Sequence, residues 1–424
     1  MSLQRLVFCL FVLLLVGDNS RTLAQSGLAN ARSFGMAGAY LALARGAEVS
    51  SWNPANLGLR DNPARSLHFL ALGLHISNNA FAKNDYHLYN GAWLSEKDKE
   101  TILQLIPSDG LRFQVGSEAT LAAYSHQHLA VTVALQGFSS GRLQRDFIAL
   151  ALQGNVLNRR YELAGNHGSA FAAVVAGFSF GRPVSLPLLT RHVREFAAGI
   201  TISYLHGLAA AEVREAGGAF LTTWEGLSGD GRARMRIATG GHGLAFDCGT
   251  TAVINRHWSI GLAMRHLLSA IYWNHNVREY EWGVHADSLT ARSWNDNPEA
   301  ALQSWSWERR GPAFFSSLPP MLHAGIAWRR GCLQMTADVV QPLRRTAALS
   351  RRPDLRLGCE ARYWSFLPLR LGVNTGGGSG WGTAFGLGYN HKTFAVDMGA
   401  QTRGGLLPSA GKGAGLALGM RLQR

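Results

Sequence analysis

From residue 66 to the C-terminus, apolar side chains recur at every second position in short runs broken by turn residues, and this rhythm most constrains the fold. Leu416, Leu418, Met420 and Leu422 alternate with Ala417, Gly419 and Arg421. Upstream, Phe394, Val396, Met398 and Ala400 alternate with Ala395, Asp397, Gly399 and Gln401, and Leu367, Leu369, Leu371 and Val373 with Pro368, Arg370 and Gly372. Leu355, Leu357, Cys359, Ala361 and Tyr363 oppose Arg356, Gly358, Glu360 and Arg362; similar runs fall at 129–136, 196–204, 258–266 and 333–340. On a strand this spacing separates an apolar face from a polar or small one. A soluble sandwich shows the same alternation with its apolar face inward. Three features favour a membrane barrel. The runs are about ten residues long, as a tilted transmembrane strand requires. The opposite faces carry Gly, Ala and Arg–Glu combinations suited to a crowded, hydrated lumen. Tyr363, Trp364, Trp381 and Tyr389 fall near run ends, where interfacial aromatic girdles sit. About 14 to 16 strand candidates can be counted. The chain is therefore expected to be all-β, a transmembrane antiparallel β-barrel of about 14 strands with a short N-terminal plug containing helical turns.

Composition supports this. Apolar residues make up 47% and charged residues only 16%, below the roughly 25% of soluble domains. At the N-terminus, Arg5 precedes an unbroken apolar run, Leu6 to Val16, and Thr22 and Ala24 supply small residues before Gln25. This reads as a cleaved signal peptide over 1–24, too short to span a bilayer as a helix. The expected division is a leader at 1–24, a plug at 25–63 and a barrel with extracellular loops at 64–424. After the leader no stretch approaches 18 uninterrupted apolar residues, which excludes helical membrane spans. Cys248, Cys332 and Cys359 match no zinc spacing and no disulfide framework. Without Arg5, Arg21 and Asp18 the mature chain carries 39 basic and 26 acidic residues, about +13. For an exported protein this points to anionic lipid or solute rather than nucleic acid. Lysine occurs only at positions 83, 97, 99, 392 and 412, so a general preference for arginine accounts for the balance equally well.

Three stretches depart from period two. Ser95 is expected to cap a helix through Asp98 that runs to Ile106 and stops at Pro107. Gly141 to Gln153 has apolar Leu143, Phe147, Leu150 and Ala151 at helical spacing. Asn297-Pro298-Glu299 reads as a helix start inside a long loop carrying Trp294, Trp305 and Trp307. The segment 26–60 also differs. It is rich in small residues, which permit close backbone approach, and Asn53 before Pro54 is a strong helix-start signal.

The run Gly35-Met36-Ala37-Gly38-Ala39-Tyr40, followed by Trp52-Asn53-Pro54-Ala55, resembles the N-terminal signature of FadL-like outer-membrane proteins. That group includes long-chain fatty-acid transporters and PorV-type proteins of a secretion system; the later sequence resembles an uncharacterised branch. The resemblance implies a barrel of about 14 strands, occluded by a plug, in the outer membrane of a double-membraned bacterium. It implies passive uptake of a hydrophobic or amphipathic small molecule that contacts the plug and leaves sideways through the wall. The alternative it implies is a PorV-like protein that docks or shuttles exported proteins without transport. Gly35, Gly38, Asn53, Pro54 and Ala55 match motif positions, with a role in plug conformation. The implied partners are outer-membrane lipid, a hydrophobic ligand and the barrel-assembly machinery. The chain departs from the common barrel ending: it finishes Leu422-Gln423-Arg424, without a terminal aromatic residue.

No cofactor, metal or catalytic residue is assigned. His126 and His128 form a His-x-His pair without a third ligand and read as a turn. Gly376-Gly377-Gly378-Ser379-Gly380 lacks the Lys-Ser/Thr of a phosphate loop and reads as a hairpin. No nucleophile elbow is assigned, and no enzyme is expected. Arg356, Glu360, Arg362 and Arg370 share a face and form a candidate lumen charge cluster. It either orients an anionic headgroup or, as preferred, braces the wall with ion pairs. The tryptophan-rich loop is a candidate lid or an interfacial anchor.

Overall fold

The computed structural model describes residues 27–185, 193–290, 302–344, 352–378 and 380–423. Fourteen strands form the wall: β1 (Arg65–Asn78), β2 (Leu111–His126), β3 (Leu129–Leu143), β4 (His167–Pro183), β5 (Glu195–Thr223), β6 (Gly226–Val253), β7 (Trp258–Trp273), β8 (Met321–Arg330), β9 (Leu333–Pro342), β10 (Asp354–Trp364), β11 (Leu367–Gly376), β12 (Gly382–His391), β13 (Phe394–Arg403) and β14 (Gly413–Gln423). Each pairs antiparallel with the next. The ring closes where β1 meets β14, from Ser66↔Gln423 to Ser77↔Gly413. Closure satisfies every edge, the only way a sheet can cross hydrocarbon.

The period-two reading holds along this wall. Leu72, Leu74, Ile76, Leu416 and Leu418 are exposed on its outer face, whereas Glu118, Asp247, Asp338, Glu360, Arg370 and Asp397 are buried on the inner one. An outer belt of Leu, Ile, Val and Phe of this extent is a lipid-facing surface, because water would leave it unburied. Among the described residues no helix is long and apolar enough to cross a membrane.

The rims differ. At one, β2–β3, β8–β9, β10–β11 and β12–β13 are joined by two-residue turns, and the N-terminal segment enters there. The other carries the long connections. The Glu96–Leu105 helix lies there, capped as expected by the reciprocal Ser95–Asp98 pair. The second expected helix is shorter than the spacing suggested, Arg145–Gln153, since Gly141 to Leu143 remain in β3 paired with β2. The leader, Trp294 and Asn297-Pro298-Glu299 lie outside the described residues. Trp305 and Trp307 are not in a loop: Leu302–Arg310 is a strand paired with Arg278–Leu289, which in turn pairs with an extension of β6. β5 and β6, at 29 and 28 residues, rise well beyond a membrane's thickness to support it. Trp305 stacks over Gly283, where a Cβ would collide with its indole. The glycine makes room for the tryptophan, and cross-strand pairing overrides the loop-like composition. Glu279 and Glu281 tie this canopy together by pairing with Arg214 and Arg309, and with Arg232 and Arg234, respectively.

Candidate functional site

Residues 27–64 fill the lumen towards the short-turn rim. Asn30 caps a single helical turn, α1 (Ala31–Phe34), through its side chain to the Ser33 amide. Further on, the Asn53 side chain accepts from the Ala55 amide and starts a 3-10 turn, Pro54–Gly58, as the Asn-Pro pair indicated. Nearly all of 27–59 is buried, and Met36, Tyr40, Leu41, Ala42 and Val49 are fully so. The segment therefore occludes the lumen as a packed plug.

The wall receives it on a seat of glycines. Added Cβ atoms would strike the plug at Gly73 (Leu28 carbonyl), Gly399 (Ala31), Gly372 and Gly358 (Met36), and at Gly181 and Gly199 (Pro54). Gly35 meets Gly386 backbone to backbone, and Gly38, with φ +80°, sits under the Arg356 guanidinium. Asn53 reaches the wall directly, donating to the Thr250 carbonyl and to Thr251 Oγ1 at 2.9 Å. Ala55 packs with Leu59 and Ala197. All five motif positions thus lie at plug–wall contacts.

Two buried carboxylates hold the plug by its backbone. Glu118 accepts the Gly27 and Leu28 amides at 2.9 and 3.1 Å. Asp338 accepts those of Tyr40 and Leu41 at 2.8 and 2.9 Å. A carboxylate spanning two successive N–H groups makes charge-assisted bonds roughly twice as strong as neutral ones. The side-chain network is larger than the sequence suggested. Glu360, fully buried, binds Arg32 of the plug through both oxygens at 2.7 and 2.8 Å, and also Arg362 and Arg370. Arg370 continues to Asp397, and Asp397 to Arg421. Of the predicted cluster, Glu360, Arg362 and Arg370 therefore come together. Arg356 does not join them: it pairs with Asp354 at 2.8 Å and donates to the Gly38 carbonyl. Glu360 serves the plug, so the cluster fixes the stopper as well as the wall. Arg32 also donates to Tyr40 Oη, which in turn donates to Glu48 at 2.5 Å. Burial pushes the Tyr40 phenol up, against the pull of Arg32. Burial would raise Glu48 too, but His68, Arg421 and Arg32 reverse this and hold its carboxylate ionised. Arg32, Glu48, Glu118 and Asp338 carried no sequence signal beyond being polar.

At the short-turn rim, Arg45 forks onto Asp61 at 2.7 and 2.9 Å, and Asp61 also meets Arg329 of β8 at 2.6 Å. Burial alone would raise the Asp61 carboxyl; Arg45 and Arg329 outweigh it and hold it down at about 2. A depressed carboxylate contributes stability that is full above its unfolded value, about 4, and is lost as pH falls through the folded one. Hydrogen-exchange protection of residues 44–62, taken relative to the unstructured chain at each pH, should therefore fall between about pH 4 and pH 2. Asp61→Asn should flatten that dependence, and an unaltered profile would remove the clasp from the plug's anchorage.

Three irregularities of the wall fall close together. Pairing registers slip in β1 between Phe69 and Leu72, in β2 between Thr120 and Ala122, and in β4 between Ala172 and Ala173. Leu70 adopts φ 51°, rare for a residue with a branched side chain. Outside these bulges lies an apolar depression of about 410 Å³ lined by Leu72, Leu74, Ala119, Leu135, Ala172 and Leu418. Inside lies a smaller cavity of about 40 Å³, floored by Ser50 and Ser51 of the plug. Glu118 and its cross-strand partner Gln136 line both spaces. The partition between lumen and exterior is one strand pair thick here, and its inner bolt, Glu118, also grips the start of the plug.

The other flagged residues take structural places. Gln127, in the turn between His126 and His128, has φ 51°, and His128 Nδ1 approaches the Leu57 carbonyl at 3.3 Å. Gly376, Gly377 and Gly378 have positive φ and form the turn after β11.

A profile for a family of unknown function (DUF5723) matches residues 66–400. No curated protein matches the chain. Among solved structures, the toluene transporter TodX of P. putida is 10% identical with TM-score 0.51, over 96% of this chain and 99% of that one. A FadL homologue of Pseudomonas aeruginosa is 11% identical with TM-score 0.51, over 95% and 99%. The toluene transporter TbuX of Ralstonia pickettii is 14% identical with TM-score 0.49, over 96% and 99%. At these identities the likeness is one of fold: the chain is a plugged fourteen-stranded barrel of the FadL type.

Proposed function

Since the chain belongs to the DUF5723 family, whose function is unknown, we propose that it carries an apolar or amphipathic small molecule passively across an outer membrane and releases it sideways through the wall. The observation that carries this reading is the shared lining of Glu118 and Gln136 between the plug-floored cavity and the outer depression, at the point where three strands slip register. A lateral exit spares an apolar solute from entering water, which costs roughly 25 cal/mol per Å² of exposed apolar surface. The neighbouring folds named as the toluene transporter TodX and a FadL homologue support an apolar cargo. On this reading the short-turn rim faces the periplasm, the canopy faces outward, and a leader removed before Gln25 directs export.

Ala119 points into the depression from β2. Ala119→Trp should fill it without touching the plug and lower uptake of radiolabelled hexadecanol by cells expressing the protein, on the order of tenfold, as closing a constriction does. Unchanged uptake would exclude this exit. Loss of uptake with a stoichiometric protein partner retained in mild detergent would favour a docking role instead.

A further inference from the structure

We infer that the luminal cavity recognises an uncharged hydroxyl group, so that the cargo is a neutral amphiphile bearing an alcohol head rather than a carboxylate or a bare hydrocarbon. This rests on the transport reading above and narrows it to a chemical class.

The cavity is layered. Its floor is Ser50 and Ser51 of the plug, bordered by Thr132 of β3 and Ser203 of β5. These two wall residues stand in one cross-strand row through Gly177, which adds no side chain between them. The next row up is apolar: Ala134, Val175 and Leu205. A molecule seated here would set a small polar head on the plug and the start of an apolar chain above it. At about 40 Å³ in all, against the roughly 10–15 Å³ that one water requires in this measure, the cavity has room for a hydroxyl and the first carbons of a chain and not for a bulky headgroup.

The hydrogen-bonding positions left open decide which head. Two acidic side chains, Glu118 and Asp247, face the cavity, against one arginine, Arg265. That arginine is already committed, to Asp247 at 2.8 Å and to the Ser51 carbonyl. Asp247 is satisfied by Arg265 and by the His266 amide. Glu118 accepts both plug amides through Oε2 alone. Glu118 lines the cavity, and its printed bonds leave Oε1 open to it; Thr132 Oγ1 is buried without a partner. The unmet needs are thus an acceptor lacking a proton donor and a hydroxyl lacking a partner. An alcohol both donates and accepts. A carboxylate cannot donate to that oxygen and finds no uncommitted arginine here to receive it. An alkane leaves the polar floor unpaired, which costs affinity.

The test is equilibrium binding of three probes of equal chain length, hexadecanol, hexadecanoate and hexadecane, to the detergent-solubilised full-length protein, followed by intrinsic tryptophan fluorescence at neutral pH. Hexadecanol should bind at least about tenfold more tightly than either of the others, the worth of one hydrogen bond. Glu118→Gln keeps a carbonyl acceptor for the Gly27 and Leu28 amides while replacing the free oxygen with an N–H donor that a carboxylate can accept. It should raise hexadecanoate affinity to within a few-fold of hexadecanol, with heat-modifiable gel migration verifying the folded barrel. Equal binding of all three probes to the wild-type protein would leave the transport reading standing and overturn the alcohol preference. Tighter binding of hexadecanoate would overturn it as well. Binding of none would remove the transport reading and this inference together.

Discussion

Glu360→Ala is expected to free the plug from the wall while leaving the barrel closed. Glu360 is the single carboxylate shared by Arg32 of the plug and by Arg362 and Arg370 of the wall. Its removal leaves three guanidinium groups facing one another, two of them buried. Breaking a buried ion pair from one side costs about 3–5 kcal/mol, because the remaining charge is uncompensated. Strand pairing does not depend on this side chain, so the loss should fall on plug docking. Limited proteolysis should cut within residues 27–62 in the variant and not in the wild type. Glu360→Gln, which keeps the volume and one acceptor, should sit between. Equal resistance in all three proteins would show that the backbone clamps at Glu118 and Asp338 suffice.

Removing residues 27–60 should turn a sealed barrel into a pore. The ring closes through β1 and β14 without help from this segment. A fourteen-stranded barrel approaches the width at which the lumen stays water-filled unless something occupies it. Conductance in planar bilayers is expected to rise on the order of tenfold or more. No rise would place the seal in the canopy, at the Trp273 and Phe314 cluster, and not in the plug.

The sequence disclosed what is local and periodic. The two-residue rhythm foretold the wall and its facing, because side-chain direction on a strand is fixed by geometry. Asn53-Pro54 foretold its turn, because capping acts over two or three residues. The anchors were hidden because they join residues remote in the chain: Arg32 meets Glu360 across 328 positions, and Tyr40 meets Asp338 across 298. An inward Asp or Glu announces only that it needs a partner. Arg356 illustrates the limit. It shares a face with Glu360, yet Asp354, two residues away on the same strand, claims it first. The canopy was misread for another reason: Trp305 and Trp307 look like loop anchors until Gly283 is seen lying beneath an indole.

The glycine seat also bears on chronology. Its surface is assembled from strands as far apart as β1 and β13, so it does not exist until the last hairpin has met the first. The segment that precedes the wall in the chain consequently finds its resting place only after the wall, because its seat is absent while the cylinder is stitched together. Contacts of such long sequence separation form slowly. An assembly intermediate with a finished wall and an empty bore is thus built into the order of events.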